Sequence, residues 1–99
     1  MDAATAIADP IRRRVLELVR DREVPAGELA DRFEVSRPAV SRHLRVLREA
    51  GLVQERREGR LRLYRGDPAP LAELRDWIEA YWDGRLDALR VLAEEGGVD

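Results

Sequence analysis

Cysteine is absent from the 99-residue chain, which excludes disulfides, thiolate metal sites and cysteine nucleophiles and leaves the redox compartment unmarked. Histidine occurs once, at His43, and a lone histidine without suitably spaced partners makes no metal site. Long apolar runs are missing as well. The stretch from Met1 to Asp9 carries two aspartates, which argues against a signal peptide or membrane anchor and leads us to expect a cytoplasmic protein. With no repeat, low-complexity run or linker, the chain reads as one domain over residues 1–99. Neither a metal nor an organic cofactor is expected.

Apolar residues at 44% and charged residues at 38% describe a soluble chain with enough hydrophobic content to fold. A domain this small buries only about two-thirds of its unfolded surface, so sharing burial with a partner would help. The net charge of −2 is unevenly distributed. Between Ser36 and Arg65 nine arginines face three glutamates, a local charge of +6 that leaves −8 for the remainder. A basic block in an acidic protein suits a phosphate-facing surface, because counterion release depends on the contact face and not on the whole-molecule pI. By charge alone it is equally a solvated face.

After a short apolar segment from Ala3 to Ala8, Asp9 and Pro10 have the character of a helix cap and first turn. Ile11, Val15, Leu18 and Val19 then recur at helical spacing to about Arg22. Val24-Pro25 reads as a break, followed by a short helix from Ala26 to Phe33. Ser36 opens another that stops at Gly51, a residue suited to a left-handed cap. Two short helices across a tight turn, residues 26–51, make a helix-turn-helix pattern. Residues 52–65 read as a β-hairpin wing around Glu58-Gly59-Arg60, with Leu61 and Leu63 toward the core and Arg62 and Tyr64 alternating with them. A long helix is expected over 69–93, ended by Gly96-Gly97. The expected fold is mostly α with a small β-hairpin, a winged helix-turn-helix.

On the helix after Ser36, Val40, Leu44 and Leu47 share one side, while Arg37, Pro38, Ser41, Arg42 and Arg45 fan across the other. One side packs and the other is free to enter a DNA groove, with its N-terminal residues nearest the base edges. Arg37 and Arg42 are the leading readers, because a guanidinium donates two parallel hydrogen bonds to guanine O6 and N7. Ser36 reads as a cap that is also able to donate to a phosphate. Arg45 and Arg48 suit phosphate contacts. His43 suits packing or a DNA contact. In the wing, Arg57, Arg60 and Arg62 surround a tip able to reach backbone or minor groove.

The runs Ala8-Asp9-Pro10-Ile11-Arg12-Arg13-Arg14-Val15-Leu16-Glu17-Leu18, Gly27-Glu28-Leu29-Ala30 and Ser36-Arg37-Pro38-Ala39-Val40-Ser41-Arg42-His43-Leu44, continuing to Gly51-Leu52-Val53, closely resemble the ArsR-type winged-helix repressors. The resemblance extends through Arg56-Arg57-Glu58-Gly59-Arg60 and Tyr64. It implies a homodimer that represses by occupying a promoter on duplex DNA, with the first and last helices at the dimer interface. It also implies recognition positions at Ser36, Arg37, Pro38, Ser41, Arg42 and His43. Metal-sensing members use cysteines in the helix spanning 26–33, or histidines and carboxylates in the final helix; this chain has neither the cysteines nor the histidines.

Leu71, Leu74, Trp77, Ile78, Tyr81, Trp82, Leu86, Leu89 and Leu92 form a stripe close to half the circumference of the last helix. A core-facing helix needs a little over 100° of apolar arc, so the excess width asks for a second surface, and a dimer mate is the natural one. Arg85 falls within the stripe and is expected to need a carboxylate partner. The interface assignment is therefore Leu71, Leu74, Trp77, Ile78, Tyr81, Trp82, Arg85 and Leu89. Asp76, Glu79, Asp83 and Asp87 read as the solvated opposite face, not as a catalytic or metal site, and no catalytic residue is assigned. A protein-binding scaffold is the competing class of function, and the arginine-rich face argues against it. A small-molecule inducer remains open, with Trp77, Tyr81 and Trp82 as a candidate lining.

Overall fold

A computed structural model describes residues 1–96. Five helices, α1 (Ala3–Ala6), α2 (Pro10–Leu18), α3 (Ala26–Ala30), α4 (Arg37–Glu49) and α5 (Ala69–Gly96), are interleaved with strands β1 (Val24–Pro25), β2 (Val53–Glu58) and β3 (Leu61–Gly66). The fold is a winged helix-turn-helix: mostly helical, with a small antiparallel sheet.

Local chemistry sets most boundaries. Asp9 accepts from the amides of Ile11 at 2.8 Å and Arg12 at 3.1 Å, and Pro10 takes the first position of α2, where no amide proton is needed. Ser36 Oγ accepts from Ala39 N at 3.2 Å to open α4. At the other end Gly51 adopts φ +74°, its amide donates to Arg48 O at 3.0 Å, and Leu52 N donates to Leu47 O at 2.9 Å. That pair of bonds is a Schellman motif, and the fully buried Leu47 and Leu52 supply its apolar contact. Helix α4 and strand β2 are thus joined by one hydrogen-bonded turn.

Several boundaries differ from the sequence expectation. α2 stops at Leu18 instead of near Arg22, because Val19 O accepts from Gly66 N at 2.9 Å and the chain turns onto the sheet. Val24-Pro25 is not merely a break: Val24 pairs with Tyr64 and Pro25 with Leu63, so β1 is an edge strand, the place where a proline's missing amide is tolerated. α3 ends at Ala30, and Arg32 N to Leu29 O (3.1 Å) and Phe33 N to Ala30 O (3.3 Å) tighten its exit into the turn. α5 continues to Gly96, and Gly97 lies outside the described residues.

The sheet order β1-β3-β2 puts β3 in the middle, so both of its faces are covered at Leu63 and Tyr64 and the expected burial of the leucines holds for Leu63 but not for Leu61. Tyr64, only 4% exposed, joins the central cluster with Val15, Val19, Val24, Leu29, Val40, Leu44, Leu47, Leu52 and Val53. Leu63 is buried outside that cluster, and Leu61, 52% exposed, is not a core residue at all. Period-two alternation cannot choose a face when both sets contain a large apolar side chain. Leu61 lies opposite Glu58 next to the hairpin loop. In that loop positive φ is confined to Gly59, the pattern of a type II′ turn.

α5 packs its first turns on the body, where Leu71 is half-buried against the core, and then projects. The molecule measures 71 × 24 × 22 Å, and a 28-residue helix contributes about 42 Å of length.

Candidate nucleic-acid interface

All eighteen basic residues are arginines, so every cation on this surface is a planar, permanently charged fork. Burying Val40, Leu44 and Leu47 turns the opposite side of α4 outward, leaving Ser36, Arg37, Pro38, Ser41, Arg42, Arg45 and Arg48 exposed and His43 half-buried. An open groove of about 430 Å³ runs between α4 and the wing, lined by Pro38, Ser41, Arg42, Arg45 and Arg48 on one side and by Arg62 and Tyr64 on the other. Arg62 and Tyr64 share one face of β3, and that face borders the groove, which sets Arg62 beside the arginines of α4.

Within the basic block the arginines divide by partner. Arg37 donates to Asp31 at 3.2 Å, and Arg48 is paired with Glu55, which also faces Arg57 at 3.8 Å. Arg56 is held most firmly, with Nε and Nη2 each 2.9 Å from the two oxygens of Glu23 and Nη2 3.1 Å from Glu58. The hydrogen bond from Arg56 keeps the Glu23 carboxyl below its ordinary value, and the same contacts push Arg56 upward. Arg56 therefore ties β2 to the segment before β1. Among the described residues, no carboxylate lies within ion-pair distance of Arg42, Arg45, Arg60 or Arg62. These four charges have no carboxylate to compensate them at short range, and the Arg62 guanidinium also hydrogen-bonds the Tyr64 hydroxyl.

The candidate residues fall into three groups. Ser36, Arg37, Pro38, Ser41, Arg42, Arg45 and Arg62 gather along α4 and the groove. Arg57 and Arg60 stand toward the hairpin end, exposed. His43 lies on the far flank of α4, in a shallow recess with Arg12, Ala39, Arg42 and Val46, where Nδ1 meets Arg12 Nη1 at 3.2 Å. Sequence reasoning missed that contact, and also Asp31 and Glu23, because each partner lies on a different element and no local spacing announces it.

Buried Tyr64 stands above the ordinary phenol value because of desolvation and the nearby Glu55 charge, and its hydroxyl donates to Glu55 Oε2 at 3.4 Å. Glu55 thus links the wing's core tyrosine to Arg48 on α4. No group of three or more potential metal ligands occurs among the described residues, and none of the described helices is long and apolar enough to cross a membrane.

The proposed interface residues of α5 stay largely open in the single chain. Leu71 and Leu74 are half-buried, Arg85 is exposed, and Trp77, Ile78, Tyr81, Trp82 and Leu89 are exposed, Trp77 by 65%. The rings of Trp77 and Tyr81 stack at 5.7 Å and 12°, and Tyr81 meets Trp82 edge-on at 6.1 Å. The side chain of Leu86 lies outside the described residues.

Comparison with known proteins supplies relatives for this arrangement. A helix-turn-helix domain family matches residues 7–56. The HTH-type transcriptional regulator Rv2034 of Mycobacterium tuberculosis is 42% identical over 94 residues, 95% of this chain and 88% of that protein. The transcriptional repressor SdpR of Bacillus subtilis is 33% identical over 74% of this chain and 81% of its own length. Among solved structures, an ArsR-like transcriptional regulator from Rhodococcus sp. RHA1 superposes with a TM-score of 0.70 at 36% identity, covering 90% of this chain and 87% of that one.

Proposed function

The chain belongs to the ArsR-type winged helix-turn-helix regulators, and from that premise we propose that it is a cytoplasmic homodimeric repressor that reads an inverted-repeat operator through α4, with backbone contacts from the wing. Membership makes it a DNA-binding regulator of transcription and not an enzyme. The observation that carries the finer reading is the set of arginines with no ion-pair partner among the described residues, Arg42 and Arg45 on α4 and Arg62 on β3, lining one groove.

In this reading Arg37 and Arg42 meet base edges with Ser41, Pro38 and His43 beside them, Ser36 caps α4 near a phosphate, and Arg45, Arg57, Arg60 and Arg62 neutralise phosphates. The α5 stripe, including Leu71, Leu74, Trp77, Ile78, Tyr81, Trp82, Arg85 and Leu89, forms the two-fold interface. Exposed aromatics of this size are common interface anchors. Two-fold symmetry then sets two reading helices into successive major grooves about 34–36 Å apart. SdpR, named a repressor, supports repression as the direction of control. The chain lacks the cysteines of the familiar metal-sensing pattern, so its switch, if a ligand operates one, is a change in subunit angle driven by something other than thiolate-bound metal.

Binding of the purified chain to duplex DNA from immediately upstream of its own gene, against random duplex across a salt series, tests the reading. Saturable binding that prefers the upstream fragment, weakens steeply with salt and disappears in Arg42→Ala/Arg45→Ala supports it. No binding even at low salt would overturn it in favour of a protein-binding scaffold.

A further inference from the structure

Arg12 makes three connections at once from α2. Nε donates to Ala6 O at 2.6 Å and Nη2 to Thr5 O at 3.4 Å, both carbonyls at the end of α1, while Nη1 meets His43 Nδ1 on α4 at 3.2 Å. A guanidinium has donors only and keeps its charge throughout the working pH range. The third contact is therefore a hydrogen bond only when His43 Nδ1 offers its lone pair. The Nδ1–H tautomer and the imidazolium would each set one N–H against another, so the geometry requires a neutral ring with its proton on Nε2.

We infer that Arg12 is a positioning residue for DNA recognition: it fixes His43 as the Nε2–H tautomer and fastens α4 to the end of α1. The inference deepens the reading of α4 as the DNA-contacting helix and rests on it. Among the described residues Nε2 has no hydrogen-bond partner, and no buried side-chain nitrogen is left unpaired, so Nε2 faces solvent. His43 consequently offers DNA one donor and no acceptor. Such a group suits a phosphate oxygen or a purine N7 and rejects the amino groups of cytosine and adenine. Because α1 packs against both α4 and α5, the same guanidinium joins the helix proposed for dimerisation to the helix proposed for reading.

His43 is the only histidine, so long-range proton–nitrogen NMR of the untagged, nitrogen-15-labelled chain reads this ring alone. At pH 8 the wild type should show an unprotonated Nδ1 and a protonated Nε2, Arg12→Met a mixture of tautomers, and Arg12→Lys a return toward the wild-type pattern. On the upstream duplex, Arg12→Met should weaken binding by about fivefold in the wild-type background and change it little in a His43→Phe background, the non-additivity expected of a residue acting through another. His43→Gln, which keeps a donor near the ε position, should retain most of the affinity. An Nδ1-protonated ring in the wild type, or equal effects of Arg12→Met in both backgrounds, would overturn the inference. If the wild type binds no DNA, the functional reading fails by itself, and the tautomer spectrum still decides whether Arg12 locks His43.

Discussion

The Arg37 guanidinium donates to the Asp31 carboxylate at 3.2 Å, across the turn that joins the two helices of the helix-turn-helix. Both side chains are exposed, so the pair contributes little to stability. It does occupy the guanidinium proposed to read bases with a carboxylate that DNA would have to displace. Asp31→Asn is expected to leave stability within about 0.5 kcal/mol and to tighten operator binding a few-fold at low salt, measured by fluorescence anisotropy. Weaker binding would mean that Asp31 orients Arg37 for DNA.

Arg42 and Arg45, one helical turn apart on the exposed side of α4, should fail in different ways. Loss of a base-reading fork costs about 1–3 kcal/mol on the correct sequence and little on random DNA, and this is the expected result for Arg42→Ala. Arg42→Lys should not restore it, since a lysine lacks the two parallel donors. Arg45→Ala and Arg62→Ala should weaken both DNAs alike and reduce the log-log salt slope by about 0.9 each. A sequence-selective loss from Arg45→Ala would reassign it to the bases.

Ile78 lies on the stripe of α5 and is exposed in the single chain. The wild type is expected to sediment as a dimer. Ile78→Glu should give a folded monomer with unchanged helical circular dichroism and at least tenfold weaker operator binding, because each half-site contact then stands alone. A wild type that sediments as a monomer would remove α5 from the interface.

Acid should loosen the N-terminal half first. Burial would raise the Asp9 carboxyl, but amide hydrogen bonds from Arg12 and Ile11, together with the positive charge of Arg12, hold it below 3.8. The hydrogen bond from Arg56, against a smaller effect of burial, holds Glu23 below 4.5. Both folded values are depressed, so each group stabilises the fold above its unfolded value and loses that contribution as pH falls through the folded one. Urea midpoints should be level near neutrality and drop below about pH 4.5. Asp9→Asn and Glu23→Gln should each flatten that drop, and Asp9→Ala should cost about 1 kcal/mol at pH 7 through the lost cap. An unchanged acid limb in both conservative variants would place the sensitivity elsewhere.

The sequence by itself determined what depends on near neighbours. Asp9, Ser36 and Gly51 mark helix ends because caps act within four residues, and the split of α4 into Val40, Leu44 and Leu47 against Ser41, Arg42 and Arg45 follows from helical periodicity alone. The exposed stripe on α5 was legible for the same reason. Only the tertiary structure decided what depends on elements distant in the chain. It made Val24-Pro25 an edge strand and β3 the central one, which placed Tyr64 in the core, left Leu61 exposed and turned Arg62 toward α4. It also brought Glu23 to Arg56 and Arg12 to His43 across more than thirty residues of separation. Alternation along a strand fixes two faces but not which one is covered, and a hydrogen bond between two folded elements leaves no period in the sequence, so both had to await the packing of the whole chain.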